Sequence, residues 1–339
     1  MKITLNSQTI FLLKGIRKVL RLFKIQKKSS KNDYSWICEE YCDKKNQEGN
    51  DAILQILDNY KGGGLMLSKW GTIELNQVLS THLIHEVCVG GVSFKDAMKM
   101  IKGELPMPSL KGNYGLYNNA GVFPLSPEIA DRFGEQALKD CQQIDILGSY
   151  IKNEFILFPL MPNATKVNLD AFYAPWLFKN PWTKWLKGKK VLVVHPFVES
   201  ISHQYHNNRA RLFDNPDVLP EFESLTCVKA VQTQAGEKCQ FKDWFEALDY
   251  MKGQIDKCDY DVAIIGCGAY GMSLAAHVKR QGKVALHLAG WTQMLFGVYG
   301  ERWVSHQSKY SAVINKYWIR PNKSENVKNG SKVEGGCYW

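Results

Sequence analysis

Apolar residues fall along this chain in two rhythms, short solid runs and helical spacings, which alternate through its second half. Lys189–Val194 (KKVLVV), Thr226–Val231 (TCVKAV), Asp261–Ile265 (DVAII) and Lys283–Leu288 (KVALHL) read as buried strands. Glu199–Phe213, Trp244–Gln254 and Gly271–Gln281 read as the helices between them. In the first half, Gly64–Ser68 (GLMLS) reads as a buried strand behind three glycines, and LNQVLSTHLIHEV as the helix after it. Residues 34–60 and 127–152 carry helical spacing. Residues 103–127 hold four of the twelve prolines and read as a loop long enough to form a lid. Pro175–Trp185 reads as a connector. Strands alternating with helices predict an α/β fold, a Rossmann-like mostly parallel sheet with helices on both faces. No flexible linker separates the N-terminal half (34–187) from the Rossmann-like half (188–320) and the tail (321–339), so 34–339 is expected to be one unit.

The start of the chain differs. At 100° per residue, Leu12, Ile16, Val19, Leu20 and Phe23 fall on one side of a helix, and Lys14, Arg17, Lys18, Arg21, Lys24 and Lys28 on the other. Residues 1–33 therefore read as a basic amphipathic helix followed by a tether. Residues 10–28 are expected to lie on an anionic membrane surface, each Lys or Arg contributing roughly 1 kcal/mol. The other reading is a helix that docks on the body and solvates its cationic face.

Charge supports that division. Residues 1–35 hold nine basic residues and one acid, Asp33, so they carry +8 of the formal +10. The rest is nearly neutral, and no nucleic-acid partner is expected. No apolar run is long enough to span a bilayer, and Ile10–Leu13 is too short for a signal-peptide core. The nine cysteines are odd in number and lack CxxC pairs, which fits a reducing compartment. The expected location is cytoplasmic, peripheral on the inner face of the cell membrane.

Candidate chemistry lies at strand ends. Strand DVAII leads into Gly266, Gly268, Tyr270 and Gly271, a GxGxxG turn opening a helix, where backbone N–H groups can meet a phosphate. A nicotinamide reading also needs an acid about 20 residues on. None occurs between Val262 and Gly300, so NAD is not expected. A phosphate, a sugar-nucleotide edge or a plain tight turn all remain open. Glu74, six residues past its strand, is a candidate base, metal ligand or helix cap, with Lys69 and Trp70 placed for phosphate and for stacking. His195 ends another strand. Glu199, His203 and His206 share a helical face and could ligate a metal. No GxSxG elbow is present.

The segment SKWGTIEL resembles the opening motif of GT-D fold glycosyltransferases: a strand, then Arg, an aromatic residue, Gly, Asp, any residue and Glu. From about residue 50, the chain resembles proteins of bacterial capsule and surface-polysaccharide clusters. The stretches that carry this are NNAGVFP, KGKKVLVVHPFVESISHQY, LPEFE, DVAIIGCGAYGMSLAAHVKRQGK, HLAGWTQMLFGVYGERW and EGGCYW. The resemblance implies a single catalytic unit that transfers a sugar from a nucleotide-sugar donor to a lipid-linked or polysaccharide glycan. In GT-D enzymes the DxE motif holds a divalent metal and the donor diphosphate. Here Glu74 matches the Glu, Thr72 stands at the Asp, and Lys69 replaces the Arg. Glu74 is then the candidate ligand for Mn²⁺ or Mg²⁺, with Lys69 as the alternative source of positive charge. Donor binding is assigned to Lys69, Trp70, Gly71, Thr72, Gly266, Gly268, Tyr270 and Gly271. The role of base or acceptor positioning is assigned to Glu74, with His195 or Asp145 second, and sugar or acceptor contacts to Asn118, Asn119 and Glu199. The alternatives are a non-catalytic scaffold of the polysaccharide machinery and an NAD-dependent enzyme modifying sugar nucleotides.

Overall fold

The computed structural model describes residues 2–22, 37–87, 91–108, 114–306, 308–333 and 335–339. Its strands are β1 (Lys2–Ile3), β2 (Leu65–Lys69), β3 (Val92–Ser93), β4 (Ile146–Ser149), β5 (Thr165–Asn168), β6 (Lys190–His195), β7 (Ser224–Lys229), β8 (Val262–Ile265) and β9 (Val284–His287). Its helices are α1 (Ser7–Leu22), α2 (Asn46–Asp58), α3 (Thr72–His82), α4 (Phe94–Lys102), α5 (Tyr114–Asn118), α6 (Pro127–Cys141), α7 (Leu169–Tyr173), α8 (Val198–Leu212), α9 (Trp244–Ile255), α10 (Tyr270–Arg280) and α11 (Trp291–Leu295). β1 and β3 form a small antiparallel ribbon. The other seven strands make one sheet in the order β5-β4-β2-β9-β8-β6-β7. Every pairing within it is parallel. β9 pairs with both β2 and β8, so the sheet runs unbroken through both halves of the chain.

The solid apolar runs explain this architecture. Successive strand residues point to opposite faces, so a strand covered on both sides must be apolar throughout. Met66, Leu192, Val194, Ala263, Ile265 and Ala285 face a core shared with α3, α6, α9 and α10. Their neighbours Leu67, Val191, Val193, Ile264 and Leu286 face a second core shared with α2, α7, α8 and α11. Truncating one of these, such as the fully buried Ile264, to Ala costs roughly 2–5 kcal/mol.

The structure departs from the sequence expectation in four places. Residues 127–152 are helical only to Cys141. Ser126 caps α6 by accepting the Ile129 N–H at 3.1 Å, with Pro127 in the first turn, and the segment then turns into β4. β5 was hidden because, of its four residues, only Val167 is both apolar and buried. Residues 37–45, expected within a helix, run beside β4 and β5: the Cys38 N–H bonds the Tyr150 carbonyl and the Asp43 N–H the Lys166 carbonyl, both at 2.8 Å. The 103–127 loop contains α5, and its residues 109–113 lie outside the described residues.

α1 is a helix whose inner side carries Ile10 and Leu13. Leu13 packs into a small core with Val92, Ala97, Met100 and Ile101, and Ile10 is buried as well. Leu12 and Val19 are instead 61% and 49% exposed, and Phe11 is 79% exposed. Phe23, Lys24, Lys27, Lys28 and Lys31 lie outside the described residues. No described helix is long and apolar enough to cross a membrane.

Candidate functional site

A cavity of about 820 Å³ opens at the carboxyl ends of β2, β9, β8 and β6, where open α/β sheets place their ligands. With neighbouring strands about 4.8 Å apart, three spacings carry it across about 14 Å. Lys69, His287 and His195 are the last residues of β2, β9 and β6, and Gly266 directly follows β8.

Glu74 sits in the first turn of α3, where the helix dipole favours a carboxylate. Its side chain folds back over Gly71, leaving no room there for a Cβ. The Lys69 ammonium lies 5.4 Å from the centre of the Tyr150 ring and 3.5 Å from its hydroxyl. That hydroxyl donates to the Trp70 carbonyl at 2.9 Å, which ties β4 to the start of the Glu74 turn. Behind it, the fully buried Glu154 accepts Ser149 Oγ–H at 2.7 Å and the Ile151 N–H at 3.2 Å. Burial pushes its carboxyl up to about 7, against these hydrogen bonds and the Lys69 charge, which pull it down. Arg302 is a second cation on the cavity lining, its guanidinium 4.5 Å above the Tyr338 ring.

Both strand-end histidines are held neutral, pushed down to about 3 by burial, with Lys69 adding to the effect at His287. His195 Nδ1 accepts the Phe197 N–H at 3.0 Å, which puts the ring proton on Nε2. In that tautomer His195 donates a hydrogen bond. That suits positioning of an acceptor or phosphate oxygen rather than proton abstraction. His287 Nδ1 lies 2.8 Å from Ser68 Oγ, while its buried Nε2 has no hydrogen-bond partner among the described residues. Three more buried atoms of lining residues, Trp70 Nε1, Gln293 Oε1 and Trp339 Nε1, likewise have no partner among the described residues. Buried polar atoms without partners are uncommon in folded proteins, and His287 Nε2 is closed off by the backbone of Gly271, against which it lies.

The opposite wall is aromatic. Tyr173 stacks on Trp291 with ring centres 3.9 Å apart and planes within 8°, and Tyr310 meets Trp291 edge-on at 4.5 Å. Tyr338 and Trp339 complete this wall.

The glycine turn is shaped chiefly by packing. A Cβ on Gly266 would overlap the Ala289 carbonyl and lie 2.8 Å from His195 Cδ2, and one on Gly271 would overlap the His287 ring. Gly268 has φ of +58°, a conformation glycine adopts without cost. Most of its N–H groups are already used: Gly266 bonds the Val194 carbonyl, Ala269 that of Ala120, Tyr270 that of Cys267 and Gly271 that of Gly268.

The cavity therefore gathers Lys69, Trp70, Gly71, Thr72, Glu74, Asn119, His195, Gly266 and Gly268 from the residues singled out in the sequence. Five others assigned to catalysis or binding lie off its lining. Asp145 is at the opposite, amino-terminal end of the strands, accepting the Met66 N–H at 2.8 Å and the Lys279 ammonium at 2.7 Å, so it is no base for this site. Tyr270 is buried, stacked on Trp244. Gly271 lies beneath His287. Asn118 stands behind Asn119, donating to its Oδ1 at 2.6 Å. Glu199 accepts Ser324 Oγ–H at 3.0 Å and so binds the tail to α8. Among the described residues, the one group of three side chains whose ligating atoms converge as for a metal is His85, Asp131 and Glu135, outside the cavity lining. Glu74, with Thr72 at the motif's acid position and Lys69 nearby, does not make such a group, and neither do Glu199, His203 and His206.

His287, Trp291, Gln293, Arg302, Tyr338 and Trp339 were not singled out by sequence reasoning. All six fall in HLAGWTQMLFGVYGERW and EGGCYW, so the resemblance stretches held the signal, although spacing alone gave none. Tyr173 and Asp170, which accepts the Tyr310 hydroxyl and also lines the cavity, carried no signal. Comparison with known proteins adds no relative: no family model, no curated protein and no solved structure matches the chain.

Proposed function

We propose that the protein is a glycosyltransferase of the GT-D kind, moving a sugar from a nucleotide-sugar donor to a lipid-linked or polysaccharide glycan in capsule or surface-polysaccharide synthesis. The observation that carries this reading is one cavity holding a carboxylate, Glu74, two cations, Lys69 and Arg302, and a stacked aromatic wall. The aromatic faces suit a sugar ring or a base. Lys69 and Arg302 neutralise the leaving diphosphate, a role for which the residues around Glu74 do not supply a divalent-ion site. Glu74 takes the proton of the acceptor hydroxyl as its oxygen bonds to the anomeric carbon. The bond from that carbon to the diphosphate oxygen breaks, and its electron pair leaves with the nucleotide.

The same reading places the enzyme on the cytoplasmic membrane surface. Phe11, Leu12 and Val19 on the solvent side of α1 would enter the lipid interface, with Lys14 and Lys18 exposed beside them. A second reading, a non-catalytic scaffold of the polysaccharide machinery, is favoured by Thr72 at the motif's acid position.

A thermal-shift screen of the full chain separates these. Binding to the folded state raises the melting temperature. UDP-, GDP- and CMP-sugars and NAD are each tested with and without Mn²⁺ or Mg²⁺. One sugar-nucleotide class should raise it equally with and without the ion, and NAD should not. A flat response to every nucleotide contradicts the transferase and leaves the scaffold.

A further inference from the structure

Within the turn after β8, two backbone N–H groups remain once the others are accounted for. Those of Gly266, Ala269, Tyr270 and Gly271 bond carbonyls, whereas the N–H groups of Cys267 and Gly268 make no hydrogen bond to any described residue. Both residues line the cavity, and Cys267 is only 4% exposed, so its amide has little access to bulk water. A buried N–H without a partner is rare in a folded protein.

His195 adds a third donor from the neighbouring strand. It is 2% exposed, its Nδ1 is occupied by the Phe197 N–H, and its Cδ2 edge lies against Gly266. Nε2 sits on that edge at the free end of the ring. It carries the proton and bonds no described residue.

We propose that the Cys267 and Gly268 N–H groups and His195 Nε2–H form an uncharged hole that binds one phosphoryl group. Three donors from residues lining one cavity carry no formal charge there, and such a set favours an oxyanion over a neutral ligand. A lysine or arginine in the same place would hold a phosphate by charge and be screened by salt. This set holds it by hydrogen bonds in a desolvated site, which are stronger for a charged acceptor. The hole lies two strands from Lys69, about 10 Å at ordinary strand spacing, with His287 between them. A diphosphate seated with one phosphoryl in the hole therefore extends along the floor towards Lys69. The proposal deepens the transferase reading by placing the donor's diphosphate, yet it concerns phosphate binding alone and stands whatever reaction follows.

The chain itself offers a clean probe. Cys267–Gly268 is the sole Cys-Gly pair in the sequence, so labelling Cys at the carbonyl carbon and Gly at nitrogen isolates the Gly268 amide as one NMR resonance. The full chain is titrated with inorganic phosphate and with pyrophosphate, against sodium chloride at matched ionic strength. The Gly268 amide should move downfield and saturate with either phosphate and stay in place with chloride. His195→Phe removes one donor to a charged group and should weaken binding roughly tenfold to hundredfold. His195→Gln, which returns an N–H near the Nε2 position, should recover most of it. An unmoved Gly268 resonance in the wild-type protein overturns the hole, whether or not any variant folds. So does a saturating shift that His195→Phe leaves unchanged. Saturation by pyrophosphate in a protein that binds no sugar nucleotide keeps the hole and removes the transferase reading.

Discussion

Replacing Glu154 with Gln should flatten the dependence of folding stability on pH between about pH 5 and pH 8. The Glu154 carboxyl is fully buried and pushed up to about 7 in the folded protein, against about 4.5 for an ordinary Glu. Its folded-state value is raised, so the unfolded chain gives up the proton first. The stability this group contributes is fully present below about pH 4.5 and is lost as pH rises through about 7. Integrating between those values gives a loss of about 2–3 kcal/mol from pH 5 to pH 8. The amide introduced by Glu154→Gln keeps an acceptor for Ser149 Oγ–H and the Tyr150 and Ile151 N–H groups but carries no proton to lose. Urea melts of wild-type protein and Glu154→Gln at both pH values supply the test, because the difference between the two proteins cancels every other titrating group. The wild-type protein should lose about 2–3 kcal/mol more than the variant across this interval. Parallel pH dependences would refute the reasoning. They would mean that Glu154 is solvated or charged in the fold.

His195 should act in the opposite direction. Its folded value is depressed to about 3, so its stability contribution is complete above about pH 6.5 and lost as pH falls, and His195→Gln should resist acid unfolding better than wild type when followed by circular dichroism. Lys69→Ala and Arg302→Ala should each weaken nucleotide-sugar binding roughly tenfold to hundredfold in calorimetry with little change in melting temperature. Trp291→Ala removes the ring stacked on Tyr173 and should lower stability by roughly 3–5 kcal/mol as well as ligand affinity, read by urea melts and calorimetry. Leu12→Ser with Val19→Ser, both on the exposed side of α1, should cut sedimentation with anionic vesicles and leave the melting temperature unchanged.

What the sequence revealed depended on burial. Strands covered on both faces, such as β6 and β8, are solid apolar runs and were legible, and so were the helices between them. β4 was not, because Ile144, Leu147 and Ile151 continue the helical spacing of α6 across a turn that only pairing with β2 resolves. β5 lies at the sheet edge with a single buried apolar side chain, so it has no run to read. At the site, residues at the ends of legible strands were found: Lys69, Glu74, His195 and Gly266. Tyr173 and Asp170 were missed because they follow the hidden β5, and Arg302 and Trp339 because they reach the cavity from far along the chain. His195 lines the cavity from its strand end, but its tautomer is set by the Phe197 N–H, a bond no spacing rule reports.

The central claim is that Glu74 is the base of a sugar transfer for which this cavity binds the donor. The most direct measurement is release of nucleoside diphosphate from the donor class found by binding, in the presence of a glycan acceptor, by wild-type protein and by Glu74→Gln. The account predicts that Glu74→Gln binds the donor as wild type does while turnover falls roughly 10²–10⁴-fold. Turnover by the variant equal to wild type, or no release by the wild-type protein from a donor it binds, would contradict it.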